Sequence, residues 1–398
     1  MSLKLFKFPP AINSYVWLFF AAVCLAGGWM AFRGFFFDAV ATNLDISQPT
    51  AGIIVDGLRT SAAWDPNAHL LAGVYYEKNF EAMNLDLSTS EYRLAAERSP
   101  DNYLVWLDLA QALSRSGDVD GAEIAFRRAQ ELAPNYAAVQ WAYGNFLIRQ
   151  GRDDEGFPLI SRAAIADPEL SGPAVATVLQ MNNGDVNRTR DLLGNTPAIN
   201  SGLAQTLASM KNYDAALAAW QQLPIEMRQG AFRELGTKIE GIFIAAGRFR
   251  SAAAVSSDLA ASDDLKPAVG KVMNGSFENA VKPRNATEFE WTIGEGPEPQ
   301  IGLSASQHHG GTYSLAATFN SFNGTSFRDI SQLVPVEPGA RYRLDAWYRS
   351  TLKTDAKFKW AVVEAGTGKV IATTGPMDPA GDWTSISVTF SIAETTDG

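Results

Sequence analysis

Residues 8–32 form a run of hydrophobic and small side chains that contains no charge. Pro9 and Pro10 open the run, so the pattern predicts a helix over residues 11–32. At roughly 1.5 Å per residue that helix is about 33 Å long, which matches a hydrocarbon core of about 30 Å. Trp17 and Trp29 fall near its two ends, and Phe35, Phe36 and Phe37 extend the outer aromatic belt, the placement that bilayer interfaces favour. Lys4, Lys7 and the α-amine precede the run, whereas Arg33 behind it is countered by Asp38. Basic residues are retained on the cytoplasmic side, so the N-terminus is expected inside and the rest of the chain exported. Two other readings compete with a retained span. Ala39-Val40-Ala41 has the small-x-small form of a signal-peptide cleavage site, but the apolar run is too long, and Arg33 and the phenylalanines separate it from that site. A lipid anchor on Cys24 needs a small residue before it, and Val23 is not one. Ala22/Ala26 and Gly27/Ala31 form small-x-x-x-small pairs, with Gly28 thinning the same region. Such a surface lets membrane helices approach closely, although alanine and glycine are common in membrane helices in any case.

Behind the span, residues 38–65 are a lead-in segment without a clear pattern; the middle of the chain then repeats at an interval of 34 residues, with a divergent unit at 69–100 whose turn is lengthened around 79–86. One unit carries Trp106, Leu109, Ala110, Leu113, Gly117, Ala122, Phe126, Ala129 and Pro134; the next carries Gln140, Tyr143, Gly144, Leu147, Gly151, Gly156, Ile160, Ala163 and Pro168. Tyr92, Ala95 and Pro100 continue the register backwards. The pattern resembles the tetratricopeptide repeat, a helical hairpin that stacks into a solenoid. Physical chemistry agrees: small residues at Ala110/Gly144 and Ala122/Gly156 let paired helices approach, Gly117 and Gly151 suit the turn, and the prolines end the second helix. Weaker hairpins follow at residues 171–194, broken at Asn182-Asn183-Gly184, then at 201–223 and at 226–261 with a turn at Gly247, so that an all-α solenoid is expected over 66–262. The resemblance implies protein partners held on the first helices of successive hairpins. It assigns that surface to Leu104, Leu107, Gln111, Ala138, Trp141 and Asn145, with burial between hairpins as the alternative for Leu107 and Trp141. No Lys/Arg cluster occupies these positions, so the variant of the family that clamps a terminal carboxylate is not supported.

Near Ser262 alanine-rich sequence gives way to Gly, Asn, Thr, Ser and aromatic residues. Short alternating runs at 314–319, 331–336, 342–348, 358–363 and 385–390, separated by Pro338-Gly339, Gly366-Thr367-Gly368 and Pro379-Ala380-Gly381, predict an antiparallel all-β sandwich. Asn274-Gly275-Ser276-Phe277-Glu278 has the look of an opening strand. With the Gly310-Gly311-Thr312-Tyr313-Ser314-Leu315 stretch and the strands around Pro338-Gly339, it makes residues 272–398 similar to the jelly-roll, carbohydrate-binding-module-like superfamily. That resemblance implies a sugar-stacking surface for which Trp291, His308, Tyr313 and Phe322 are the candidates, with core packing as the alternative. Structural calcium is common in such domains, yet no acidic cluster here marks a site and no cofactor is implied. The chain stops at Gly398 directly after a strand, where the family continues, so further strands are expected beyond it.

Charge and rare residues narrow the function further. A net charge of -10 over 398 residues disfavours a nucleic-acid partner, which needs a basic surface. One cysteine and three histidines leave no internal disulfide, no cysteine-rich metal site and little for histidine chemistry. No phosphate-binding glycine loop, zincin motif or nucleophile elbow is present. The carboxylate pairs Glu288/Glu290 and Asp263/Asp264 and the adjacent His308-His309 read as solvated surface. The expectation is a multidomain, non-catalytic scaffold: a single transmembrane helix in a bacterial-type inner membrane, a periplasmic solenoid, then a sandwich. It would contact the lipid bilayer and serve integral membrane protein subunits as an accessory or assembly factor. The alternative is a glycan-binding factor in polysaccharide assembly or export.

Overall fold

The computed structural model describes residues 10–79, 84–282, 286–320, 328–352 and 357–394. The chain divides into two units, residues 1–170 and 171–398.

The first unit begins with α1 (Pro10–Asn43), whose stretch from Tyr15 is long and apolar enough to cross a bilayer. The helix runs on past the predicted end at Phe32 because its distal turns have something to bury. Phe37, Val40, Ala41 and Leu44 pack with Val55 and Leu58 of α2 (Ala51–Ser61) and with Leu71, Ala72 and Tyr76 of α3 (Pro66–Lys78). The expected lead-in over 38–65 is therefore the end of α1 and all of α2, built into a hydrophobic core.

Three hairpins follow, α3 with α4 (Leu85–Arg98), α5 (Tyr103–Ser116) with α6 (Val119–Leu132), and α7 (Ala137–Arg149) with α8 (Asp153–Ala166). Side-chain caps start several of these helices: Asp65 accepts from Asn67, Asn84 from Leu87, Asn102 from Leu104 and Asp118 from Gly121, each satisfying an amide the helix leaves open. Gly117 takes φ 87° at the α5 C-terminus, the left-handed value expected of the turn. Gly144 and Gly156 face each other so closely that a Cβ on Gly144 would lie 3.0 Å from the Gly156 carbonyl oxygen. Phe126 stacks on Tyr143 with centroids 5.4 Å apart and meets Phe146 at 5.0 Å, filling the space between hairpins.

The second unit opens with α9 (Ser171–Met181), α10 (Val186–Leu193), α11 (Pro197–Ser209), α12 (Tyr213–Gln221), α13 (Ile225–Gln229), α14 (Arg233–Ala245) and α15 (Phe249–Leu259). Fully buried Trp220 is its anchor, donating to Asp258 at 2.9 Å over the flat backbone of Gly236. Among the described residues eight strands follow: β1 (Thr292–Ile293), β2 (Gln300–Ser304), β3 (Ser314–Thr318), β4 (Ile330–Ser331), β5 (Arg341–Ser350), β6 (Ala361–Val363), β7 (Val370–Thr373) and β8 (Ala380–Ser391). They pair antiparallel as β1–β4, β2–β3, β5–β8 and β6–β7 among the described residues. In the longest ladder Tyr342 faces Phe390, Leu344 faces Val388 and Ala346 faces Ile386 on the inner side. Two expected strands are corrected. Residues 274–278 form a turn, with Asn274 and Phe277 at positive φ and the Asn274 side chain accepting from the Asn279 amide. The run 331–336 leaves the ladder after Ser331, and Pro335, which has no amide to give, instead accepts from Gly270 at 2.7 Å.

Candidate functional site

Two surfaces present chemistry to solvent, one on each unit. On the repeats, Leu104 is 46% exposed and Ala138 is exposed, while Gln111, Trp141 and Asn145 are half-buried, the Asn145 amide donating to the Trp141 carbonyl at 2.8 Å. Leu107 is a correction: at 6% exposure it belongs to the hairpin core with Val105, Leu109 and Phe126, because α5 is covered on more than one side, by α4, α6 and α7. A residue that sequence reasoning passed over lies beside it. Asp108 is half-buried on α5, and burial, followed by the charge of Glu77 on α3, pushes its carboxyl up to about 6; Lys78 and Arg115 pull the other way. Glu77 is itself held by the Tyr92 hydroxyl, which donates at 2.7 Å, and by an ion pair with Arg115. The Arg115 charge is thus already engaged by Glu77, and Asp108 remains a desolvated carboxylate suited to a cationic group from outside.

On the second unit the alternation of β5 puts Arg341, Arg343, Asp345, Trp347 and Arg349 outward. Trp347 is 51% exposed within this polar row, across from Ser385 of β8. The His309 ring stacks on it, centroids 4.1 Å apart and planes 13° apart, and Trp383 approaches His309 at 5.8 Å edge-on. Arg349 donates to the Gln307 side-chain oxygen, tying the same loop to β5. The loop between β2 and β3 is fixed at its other end by Glu278, which accepts from the amides of Thr312 (2.9 Å) and Tyr313 (3.2 Å). Those backbone bonds hold the Glu278 carboxyl below its ordinary value. Flat aromatic faces ringed by Arg, Gln, Asp and Ser side chains suit a pyranose ring, whose C–H face stacks and whose hydroxyls bond to the rim.

Of the predicted sugar-stacking residues, His308 is exposed and Tyr313 is 38% exposed, next to the loop just described. Phe322 lies outside the described residues. Trp291 is a correction. It is 9% exposed, stacked on Phe277 (5.2 Å) with Trp360 tilted against it (5.9 Å), and its indole donates to the Asn274 carbonyl, so it holds the core together and offers no sugar face. The signal for Trp347 was available as a tryptophan in the polar parity of an alternating strand. Among the described residues no group of three or more His, Cys, Asp or Glu side chains gathers to hold a metal ion. Glu290, one of the paired carboxylates, is bound by Lys282 at 2.7 Å and by the Thr287 amide, which lower its carboxyl against the opposing effect of burial.

Residues 86–137 and 107–171 match the tetratricopeptide repeat family, and residues 269–398 match a carbohydrate binding domain. The chain carries tetratricopeptide repeats and a carbohydrate-binding domain. Among solved structures it is similar to MamA MSR-1 at 18% identity, with 48% of this chain and 92% of that one covered and a TM-score of 0.31. PilW, a type IV pilus biogenesis factor, matches at 21% identity over 49% of this chain and 91% of its own, with a TM-score of 0.27. Yeast Tom70 matches at 15% identity over 57% and 50% respectively, with a TM-score of 0.32. No curated protein matches the chain.

Proposed function

We propose that the protein is a membrane-anchored, extracytoplasmic and non-catalytic scaffold: an accessory or assembly subunit of a multi-subunit integral membrane complex. In this reading the N-terminus is cytoplasmic, α1 crosses a bacterial-type inner membrane, and the repeats hold the partner. The observation that carries it is the junction of α1 with the repeats, where Phe37, Val40 and Ala41 share one core with α2 and α3. A cleavable leader has no reason to be packed into the mature fold, whereas a permanent anchor that sets the attitude of a scaffold has. Ala22, Ala26, Gly27, Gly28 and Ala31 all lie on the exposed part of α1, and no atom comes within 4 Å of where a Cβ would sit on Gly27 or Gly28, leaving that surface open to lipid or another membrane helix. The test is gentle solubilisation of native membranes, purification on the intact chain, and quantification of what accompanies it. Integral membrane subunits in fixed ratio, lost on replacing Leu104 and Trp141 together by alanine, support the reading. A monomer extracted alone overturns it.

A second reading is a glycan-binding role, supported by the stacked Trp347–His309 pair, the adjacent Trp383 and the family match over 269–398. The domain then holds a polysaccharide. An array of bacterial glycans that returns no ligand, or a ligand whose affinity is unchanged by Trp347→Ala, removes this reading.

A further inference from the structure

Arg33 is the first charged residue after the apolar run, so in a spanning α1 its guanidinium marks the level where hydrocarbon ends. That guanidinium does not face water alone. It donates to the Ser61 carbonyl at 2.6 Å, and its central carbon lies 4.5 Å from the Trp64 ring centroid and 5.5 Å from that of Phe37. The turn joining α2 to α3 therefore sits at the depth of Arg33. The intervening chain climbs and returns: α1 continues ten residues to Asn43, about 15 Å of rise, and the eleven residues of α2 descend by a similar length. Asp38, one to two turns above Arg33, accepts from the Asn67 amide at 2.6 Å and holds the start of α3 at the next level.

At the bottom of this return Trp64 is 51% exposed and meets Phe37 edge-on at 6.2 Å. Phe32 (58%), Phe35 (74%) and Phe36 (51%) are exposed on α1 at neighbouring levels. The turn is also stiff. His69, buried at 3%, has one ring nitrogen 3.0 Å from the Ala63 carbonyl and the other 2.6 Å from Glu91, whose second oxygen meets Arg59 at 2.8 Å. That chain of bonds ties α2, the turn, α3 and α4 together.

We infer that the α2–α3 turn is a second membrane contact, with Trp64 seated in the headgroup–acyl boundary beside Arg33. This rests on the reading of α1 as a span. An indole there keeps its apolar body in the boundary and its N–H in the wet layer, and the guanidinium above the ring is solvated by a carbonyl and a π-face instead of bare lipid. Two contacts on one rigid body, the span and the turn, fix the tilt and rotation of the first hairpins against the bilayer.

The test is depth measurement by nitroxide accessibility to oxygen and to a water-soluble nickel chelate, on the full chain in phosphatidylcholine/phosphatidylglycerol vesicles. Three singly labelled forms are compared: the native Cys24, and Ala63→Cys or Ile124→Cys in a Cys24→Ala background, both positions being exposed. The expected order is Cys24 deep and favouring oxygen, Ala63 at the boundary with nickel accessibility several-fold below that of Ile124, and Ile124 fully aqueous. Adding Trp64→Ser shifts the Ala63 label towards water. If Cys24 is deep but Ala63 is as aqueous as Ile124, the second contact is absent while the span stands; if Cys24 itself is aqueous, the span fails and the inference with it.

Discussion

Asp108 gives a measurable consequence of placing a carboxylate on the surface proposed to hold partners. Its carboxyl rises from an ordinary 3.8 to about 6 through burial and the nearby Glu77 charge. The folded state therefore holds a proton that the unfolded chain releases, and wild-type stability falls as pH climbs through the window from about 4 to 6. Two pH units at about 1.4 kcal/mol each set a ceiling near ~3 kcal/mol. Asp108 is only half-buried, so solvent screening lowers this to about 1–2 kcal/mol. Asp108→Asn removes the charge with little change of shape. Urea unfolding followed by tryptophan fluorescence is expected to show the variant more stable by about 1–2 kcal/mol at pH 7.5, the gap closing by pH 4 where both side chains are neutral. A variant that is less stable at pH 7.5, or a gap that does not change with pH, refutes the reasoning. The same substitution should weaken partner recovery, because a neutral amide lacks the charge that draws a cationic group and makes only the weaker, uncharged hydrogen bond. Gain of stability with loss of binding is the signature of a carboxylate kept for recognition.

The two tryptophans of the β domain should separate cleanly. Trp291→Ala destabilises it by about 3 kcal/mol or more because it empties a packed site, whereas Trp347→Ala changes stability by less than about 1 kcal/mol and abolishes any glycan affinity, read by melting and by calorimetric titration. Gly144→Val forces α7 and α8 apart against the Gly156 carbonyl at 3.0 Å and is expected to cost about 1–3 kcal/mol in urea unfolding. Gly117→Ala, where no atom lies within 4 Å but φ is 87°, is expected to cost about 1–2 kcal/mol through backbone conformation alone. Inserting one alanine after Gly34 turns the rest of α1 by about 100° and parts Arg33 from Ser61. Co-purification with membrane subunits should be lost while the repeats melt unchanged, and unchanged recovery would show that the anchor is a mere tether.

The repeats were legible because each hairpin needs the same few things at the same spacing. Gly117 is found in its turn, Phe126 between hairpins and Gly144 against Gly156, as the spacing implied. The segment 38–65 was not legible, since its partners are remote. A run of three phenylalanines suits an interfacial belt, and only the fold shows that Phe37 turns inward to Val55 and Leu58 while Phe35 and Phe36 stay out. Arg33 is a good helix former and α1 runs through it, and its guanidinium is met by the Ser61 carbonyl, 28 residues away, and by the Trp64 ring. The elevated Asp108 carboxyl is likewise a product of α3 meeting α5. Trp347 is a different kind of miss. Tyr342, Leu344 and Tyr348 share one parity of β5, which leaves Trp347 with the arginines on the other, and that parity was open to inspection.

If α1 is the anchor proposed above, the reason to weld it to the repeats follows from the cost of association. A body on a slack linker gains local concentration but still loses orientational freedom on docking, part of a term estimated at several kcal/mol or more. Here the loss is already taken on folding, when Phe37, Val40, Ala41 and Leu44 enter the core of the first hairpin. The Arg33–Ser61 bond and the His69–Glu91–Arg59 chain then hold the turn in place without further ordering. In the proposed reading of α1 as a span, a partner embedded in the same bilayer meets the repeats with their attitude preset, and weak side-chain contacts at the proposed positions Leu104 and Trp141 suffice where a freely tumbling solenoid would need a larger interface. On that proposed reading the arrangement suits a constant neighbour in the membrane better than a succession of soluble clients, for which a fixed attitude gives no advantage.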